Sequence, residues 1–223
     1  MESSTQRIAA EMKRFKLTAG GTFLLCLFAV SCQRNEEPAS SNDHKDQSKK
    51  EIETPILTYT AIDGSAIQPL VFKEGIKAKV FIFSTIDCPV ANGYSPEISR
   101  LAKVYKDRGV SFHLIHVDPD TDLAKAKKHA QEYSLSLPIL LDPKHELVAF
   151  TKAEITPEAA IVTPDKKIPY RGRIDNLYAD YGKKRRQVTV KDLELALEAV
   201  LKGESVAVAR TEVIGCIIAD FKK

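Results

Sequence analysis

The chain has 223 residues, of which 43% are hydrophobic and 28% charged, a balance typical of one globular domain with appendages. The formal net charge is +3, and most of that excess lies in the first 31 residues. The remainder is close to neutral. It therefore lacks the basic surplus that binding to nucleic acid requires, and we expect no nucleic-acid partner.

The N-terminus has the pattern of an export signal. Basic residues at 13–16 precede an apolar segment at 17–30 that is short for a membrane span. Small residues then lead into Cys32, which resembles the lipobox of bacterial lipoproteins. The pattern predicts a signal peptide at 1–31, lipidation of Cys32 and a membrane-anchored protein outside the cytoplasm. A secretory signal or a membrane anchor, with Cys32 incidental, is the alternative.

Residues 32–54 are polar and predict a flexible tether, and residues 55–223 predict the folded domain. In chain order, that domain is expected to contain a short hairpin (57–61 and 67–72), a strand (80–83), a helix (95–107), a strand (110–117), a helix (122–133), a strand (137–141), a short helix (143–150), a second hairpin (159–162 and 168–173), a basic loop (175–187) and a helix (190–201). This alternation predicts an α/β domain whose mixed central sheet is flanked by helices on both faces.

The stretch most informative about function follows the strand at 80–83. Cys88 lies in the loop between this buried strand and a helix that opens near Ser95, after an Asn92-Gly93 turn signal. The free N–H groups of a helix N-terminus favour the thiolate over the thiol, so this placement predicts a nucleophilic cysteine. Asp87 is expected to point away from the sulfur. A buried structural thiol is the alternative for Cys88.

The element order, the position of Cys88 and the segment Ile155-Thr156-Pro157 together resemble the thioredoxin fold. Residues 85–88, Thr-Ile-Asp-Cys, are similar to the Thr-x-x-Cys of peroxiredoxins. Residues 55–220 also resemble bacterial redoxins of the alkyl hydroperoxide reductase/thiol-specific antioxidant type. The shared motifs are Asp-Cys-Pro-x-x-Asn before Tyr-x-Pro-Glu, Tyr-Arg-Gly-Arg-Ile-Asp at 170–175, and the C-terminal Gly215-Cys216.

The resemblance implies roles for particular residues. Pro157 would be cis and lie beside Cys88, while the Thr85 hydroxyl and an arginine would hold the oxygens of a peroxide. Arg171 and Arg173 share one strand face, and Arg173 is the candidate arginine. Solvation of these arginines, or their pairing with a carboxylate such as Asp175, is the alternative. The substrate would be a small peroxide or a protein disulfide, and an external dithiol would return the reduced state. For Thr85, simple capping or packing is the alternative.

Two positions depart from the two best-known patterns. Ala91 stands where a thioredoxin has its second cysteine, so dithiol exchange within one loop is excluded. Phe81 stands where a typical peroxiredoxin has a proline. If the signal is removed and Cys32 is lipidated, Cys88 and Cys216 are the thiols left for redox chemistry. Cys216 is then either a resolving thiol carried by a tail that folds back, or a packed thiol.

No cofactor or metal is expected. His113 and His116 are three residues apart on one strand, so they face opposite sides of the sheet and do not form one metal site. A second class of function also fits the sequence. The domain would then be a non-catalytic binding module that holds a protein partner through the surface around Cys88 and Pro157.

Overall fold

The computed structural model describes residues 56–219. The predicted signal peptide, Cys32 and the whole predicted tether lie outside these residues. Between residues 56 and 219, no helix combines the length and the apolar character needed to cross a bilayer.

The described residues form sixteen helices and strands. In chain order they are β1 (Tyr59–Thr60), β2 (Ala66–Ile67), β3 (Ala78–Ser84), α1 (Pro89–Gly93), α2 (Ser95–Lys106), β4 (Val110–His116), α3 (Leu123–Glu132), β5 (Ile139–Leu141), α4 (Glu146–Thr151), β6 (Ile155–Thr156), β7 (Glu158–Val162), β8 (Tyr170–Gly172), β9 (Tyr178–Asp180), β10 (Lys183–Lys184), α5 (Asp192–Lys202) and β11 (Cys216–Ile217).

The central sheet has five strands in the order β5-β4-β3-β7-β8. β3 pairs in parallel with β4, and β4 with β5, while β7 and β8 complete the sheet as antiparallel strands. Phe83 near the end of β3 pairs with Glu158 at the start of β7. The segment just before β7 therefore lies at the same edge of the sheet as the loop that follows β3.

Alternate residues of β3 face opposite sides of the sheet, because side chains along a strand alternate. Val80 and Ile82 face a core shared with Leu101 of α2 and Leu197 of α5. Phe81 and Phe83 face a second core, which includes residues of α4 and of the β1–β2 hairpin. Since burying a large apolar side chain contributes about 2 kcal/mol, this two-sided core fixes β3 firmly. The predicted mixed sheet with helices on both faces is confirmed.

Most predicted elements are present within a few residues, and two local assignments were wrong. Asn92 and Gly93 do not form a turn, because they end the five-residue helix α1 that begins at Pro89. The basic loop predicted at 175–187 contains the antiparallel hairpin β9–β10. The helix predicted after Asp142 forms as α4, and the Asp142 carboxylate accepts three N–H groups from its first turn.

Candidate active site

Cys88 lies four residues beyond the end of β3 and is the N-cap of α1. Its Sγ accepts a hydrogen bond from the Ala91 N–H at 3.5 Å, which satisfies one of the free donors of the first turn. Only 1% of the residue is exposed. Asp87 is exposed, in contrast to the buried Cys88 beside it.

The Thr156–Pro157 segment forms the second wall of the site. The peptide bond between these residues is cis, as the resemblance implied. The Cys88 thiol donates to the Thr156 carbonyl oxygen at 3.2 Å, so this segment is in direct contact with the sulfur. Thr156 was not among the predicted site residues, although it precedes the proline that was.

The C-terminal segment forms the third wall through β11, which pairs antiparallel with β6 so that Cys216 lies opposite Thr156. The Thr156 hydroxyl donates to the Cys216 carbonyl oxygen at 3.3 Å, and the Ile218 N–H donates to the Glu154 carbonyl oxygen at 2.9 Å. Gly215 permits this approach, because a Cβ there would lie 1.9 Å from the Thr156 carbonyl oxygen. The tail therefore folds back onto Cys88.

The two cysteines are free thiols that both adjoin Thr156, and they have opposite pKa shifts. Burial acts to raise the pKa of Cys88, but the polar groups of Cys216, Thr156 and the Ala91 N–H around its sulfur lower the pKa overall. Burial, together with the hydrogen bond and the negative charge of Cys88, raises the pKa of Cys216 to about 11. Cys88 is therefore the thiol that ionises first.

Tyr181, on the turn between β9 and β10, is a member of the site that the sequence did not single out. The negative charge of Cys216, with a smaller contribution from Cys88, raises the pKa of the Tyr181 phenol. The residue is 58% exposed, so it contacts the dithiol from the solvent side. No local pattern could have revealed this contact, because it depends on the path of a hairpin that was read as a loop.

Asn92 holds the loop that carries Cys88. Its Nδ2 donates to the Ile86 carbonyl oxygen at 2.7 Å, and its Oδ1 lies 2.8 Å from His129 Nε2. Since Oδ1 only accepts, His129 is the donor in this contact. Asn92 thus connects the residues before Cys88 to α3, and its place in the Asp-Cys-Pro-x-x-Asn motif was the signal for it.

Two of the predicted site residues, Thr85 and Arg173, do not contact the Cys88 sulfur. Arg173 Nε donates to Asp192 at 2.8 Å, so its guanidinium is held at the start of α5. Arg171 is directed to Glu158, with Nε 3.1 Å from Oε1. Thr85 is half-buried, and the hydrogen bonds found within residues 56–219 include none between its hydroxyl and Cys88. The prediction that Arg173 supports the thiolate is therefore corrected.

The histidines are distributed as their spacing indicated. His113 packs against Phe81 on one side of the sheet, and His116 packs against His129 with ring centroids 5.0 Å apart. Burial lowers the pKa of both His113 and His116 to about 4. Among the described residues, no group of three His, Cys, Asp or Glu side chains is arranged to hold a metal ion.

Comparison with known proteins places this site in a family. The model of the AhpC/TSA family matches residues 53–171, which is more than half of the chain. The chain belongs to the AhpC/TSA family. Cys88, Thr156 and Pro157 of this redoxin lie within the matched region, whereas Tyr181 and Cys216 lie beyond it. No curated protein matches the chain significantly.

Solved structures extend the likeness over most of the redoxin. An uncharacterised conserved protein from Geobacillus kaustophilus is 30% identical, with a TM-score of 0.65 over 76% of this chain and 90% of that chain. A hypothetical protein from Sinorhizobium meliloti is 24% identical, with a TM-score of 0.63 over 73% and 89%. A proposed thioredoxin from Neisseria meningitidis is 13% identical, with a TM-score of 0.50 over 66% and 89%. The fold is thioredoxin-like, and the protein is a thioredoxin-fold redoxin.

Proposed function

We propose that this redoxin is a dithiol–disulfide oxidoreductase in which Cys88 is the nucleophile and Cys216 the resolving thiol. The observation that carries this proposal is that Thr156, beside Pro157, adjoins both cysteines: its carbonyl oxygen accepts from the Cys88 thiol at 3.2 Å, and Cys216 lies opposite it in the β11–β6 pairing. A thiolate is the attacking species in disulfide exchange, and the lowered pKa of Cys88 supports that role. A second thiol beside the same residue supports rapid resolution.

The proposed reaction has two exchange steps. The Cys88 thiolate attacks one sulfur of the substrate disulfide and forms a mixed disulfide, and the other substrate sulfur leaves as a thiolate that takes a proton from water. Cys216 then loses its proton and attacks Cys88 Sγ. This forms the Cys88–Cys216 disulfide and expels the second substrate thiolate. The substrate gains two electrons and the protein loses two, which an external dithiol returns.

The raised pKa of Cys216 also controls when the second step occurs. In the reduced protein, Cys216 keeps its proton because burial and the neighbouring Cys88 charge raise its pKa. Once Cys88 is in a mixed disulfide, that negative charge is gone. The pKa of Cys216 therefore falls at the point in the cycle where its thiolate is needed.

Access to Cys88 depends on β11. Because Cys88 is 1% exposed, a bulky disulfide reaches it only when the neighbouring tail moves aside. β11 has two residues and pairs only with β6. A strand this short opens at a small free-energy cost, while the core behind Cys88 stays folded.

A disulfide suits this site better than a peroxide. The resemblance implied that a threonine hydroxyl and an arginine hold the peroxide, but Arg173 is paired with Asp192 and Thr85 makes no hydrogen bond to Cys88 among the described residues. A peroxide would also have to convert Cys88 to a sulfenic acid before Cys216 could condense with it.

The test is the reaction of residues 55–223 with one equivalent of 2-hydroxyethyl disulfide or of hydrogen peroxide, sampled by rapid thiol trapping. The expected result is a Cys88–Cys216 disulfide that forms faster with 2-hydroxyethyl disulfide than with peroxide. In the Cys216→Ser variant, Cys88 should accumulate as a stable mixed disulfide. In the Cys88→Ser variant, no reaction is expected at this site. A sulfenic acid formed faster with peroxide would contradict the proposal. If Cys88 reacts with neither reagent, the result would favour the non-catalytic binding module.

We further propose that the protein is a lipoprotein outside the cytoplasm, with Cys32 as the lipidated first residue after signal cleavage. The basic and apolar segments ahead of Cys32 support this, and an oxidising compartment suits a dithiol enzyme. In cells fed labelled palmitate, label is expected on the full chain and absent from Cys32→Ala. Equal labelling of both would overturn the assignment.

A further inference from the structure

The four consecutive cations at 183–186 form a charged patch that the proposed exchange does not yet use. Lys183, Lys184, Arg185 and Arg186 are all exposed. Lys183 and Lys184 form β10, which pairs with β9, and the Arg185 N–H extends this ladder to the Leu177 carbonyl oxygen at 2.7 Å. We call residues 177–186 the basic hairpin.

The basic hairpin is fixed at its base and along one side. Asn176 Oδ1 accepts the N–H groups of Thr189 at 2.9 Å and Val190 at 3.0 Å, which joins the two chain segments below the hairpin. Above this clamp, Tyr178 packs on Tyr94 with ring centroids 5.3 Å apart. These contacts distinguish the hairpin from a freely solvated loop.

The same contacts place the hairpin against the helix that Cys88 caps. A Cβ on Gly93, at the end of α1, would lie 2.2 Å from the Tyr178 hydroxyl, so glycine is required for this close packing. Lys184 Nζ lies 5.1 Å from the centre of the Tyr178 ring and would be 3.2 Å from the same Cβ. At the turn, the pKa of the Tyr181 phenol is raised mainly by the charge of Cys216. The hairpin thus packs against the end of α1 with Lys184 beside Gly93, on the helix that Cys88 caps.

The charge of this surface is mainly positive. Asp180 is paired with Lys183 at 3.3 Å, and it is the acidic residue within the hairpin. The exposed Asp87 lies on the other side of Cys88 in the sequence. Four cations against one paired carboxylate make the basic hairpin itself positive, and a positive surface raises the encounter rate of anionic partners.

We propose that the basic hairpin binds an acidic polypeptide segment that carries the substrate disulfide. A run of four adjacent exposed cations complements a run of acidic side chains better than a single charged group. This inference rests on the proposed disulfide exchange. It adds the substrate class, namely protein disulfides flanked by Asp or Glu.

The test compares two disulfide-linked peptide dimers that differ only in whether glutamate or glutamine flanks the cysteine. Flanking glutamates raise the pKa of the leaving thiol and slow exchange for every protein variant alike, so the informative quantity is the preference ratio, the Glu-peptide rate divided by the Gln-peptide rate. The hairpin variant replaces Lys183, Lys184, Arg185 and Arg186 with glutamine. A control variant with the same charge change replaces exposed lysines at the opposite edge of the sheet, namely Lys77, Lys103, Lys106 and Lys202.

The preference ratio of the unaltered protein is expected to exceed that of the hairpin variant by about 10-fold at low ionic strength, and the excess should shrink in 0.5 M salt, where the Debye length is about 4 Å. The control variant should keep the ratio of the unaltered protein. Equal ratios in the unaltered protein and the hairpin variant would overturn the inference.

A faster reaction with oxidised glutathione than with the Glu peptide would instead assign the patch to low-mass anions. Loss of binding to phosphatidylserine vesicles in the hairpin variant, without a change in the ratio, would assign it to lipid.

The two proposals fail in distinguishable ways. If the unaltered protein does not react with the Gln peptide or with 2-hydroxyethyl disulfide, the proposed exchange itself is wrong. If it reacts with both and the ratio is insensitive to the hairpin, exchange stands and only the acidic substrate class is rejected.

Discussion

Cys88 and Cys216 meet from two regions that are built differently. Cys88 follows the central strand β3, both faces of which are buried in apolar cores, and it is fixed further by the first turn of α1. Cys216 sits on a two-residue strand whose pairing partner, β6, is equally short. One thiol is held by the fold as a whole and the other by a few local contacts. Such a pair can hold a nucleophile in a constant environment while its partner moves to admit substrate.

The largest effect on this pair is expected from removal of the Cys88 thiol, which lies in the region that the core holds. Cys88→Ser is expected to reduce disulfide exchange to the rate of the reductant alone, because the only thiolate with a lowered pKa at the site is gone. It should also lower the pKa of Cys216 below about 11, since the neighbouring negative charge that helps raise it is absent. Absorbance of the thiolate at 240 nm against pH measures this, and an unchanged Cys216 titration would contradict the proposed timing.

The C-terminal strand β11 can be detached while both thiols are kept. Gly215→Ala introduces a Cβ only 1.9 Å from the Thr156 carbonyl oxygen, so β11 is expected to leave β6. The pKa of Cys88 should then rise toward the ordinary value of about 8.5, because the polar groups of Cys216 help lower it. The midpoint of the alkylation rate against pH measures this shift.

The same variant should leave the fixed side folded, with the free energy of unfolding lowered by about 1 kcal/mol or less. Gly64→Ala is the matched control, because Gly64 has a positive φ but nothing within 4 Å of its added Cβ. It is expected to perturb stability by a similar amount without changing the Cys88 midpoint. An unshifted midpoint in Gly215→Ala would show that the tail does not set the Cys88 environment.

The folded core around β3 and β4 is expected to lose stability at acidic pH. Burial lowers the pKa of His116 to about 4, below its unfolded value of about 6.5. Between these values the unfolded chain binds more protons than the folded one, so stability falls as pH falls. This one group should cost about 2 kcal/mol between pH 7 and pH 5. Urea unfolding of His116→Gln at both pH values should show a loss smaller by that amount, and an identical loss would contradict burial of a neutral His116.

The smallest expected effect concerns the arginine that the resemblance placed at the sulfur. Arg173 is 31% exposed and paired with Asp192, so Arg173→Gln should lower the free energy of unfolding by about 1 kcal/mol or less. The rate and pH midpoint of Cys88 alkylation should not change. A clear slowing of Cys88 chemistry in this variant would mean that Arg173 moves to the thiolate during reaction.

The difference between the two regions also explains what the sequence could predict. β3, α2 and β4 were located to within a few residues, because apolar periodicity records burial on a regular element. The position of Cys88 followed from those elements. The proline at 157 was placed by resemblance, because its neighbourhood depends on the pairing of β7 with β3.

The contacts made by the C-terminal tail and the basic hairpin could not be predicted from sequence periodicity. β11 is two residues long, too short to show a period, and the sequence left Cys216 open between a resolving and a packed thiol. The contacts of Tyr181 and Arg173 depend on the directions of side chains at the ends of loops, which a sequence pattern does not show. Even Gly93, read as a turn, is required by the Tyr178 hydroxyl that packs against it from a distant segment.

The central claim, that Cys88 and Cys216 act as one redox pair, is tested most directly by a peptide map. The protein is oxidised with one equivalent of 2-hydroxyethyl disulfide, remaining thiols are alkylated, and the sample is digested without reduction for mass spectrometry. We expect one dominant linked pair of peptides that contains Cys88 and Cys216, and its loss after treatment with a dithiol. Recovery of Cys216 as a free alkylated thiol while Cys88 carries the reagent would contradict it.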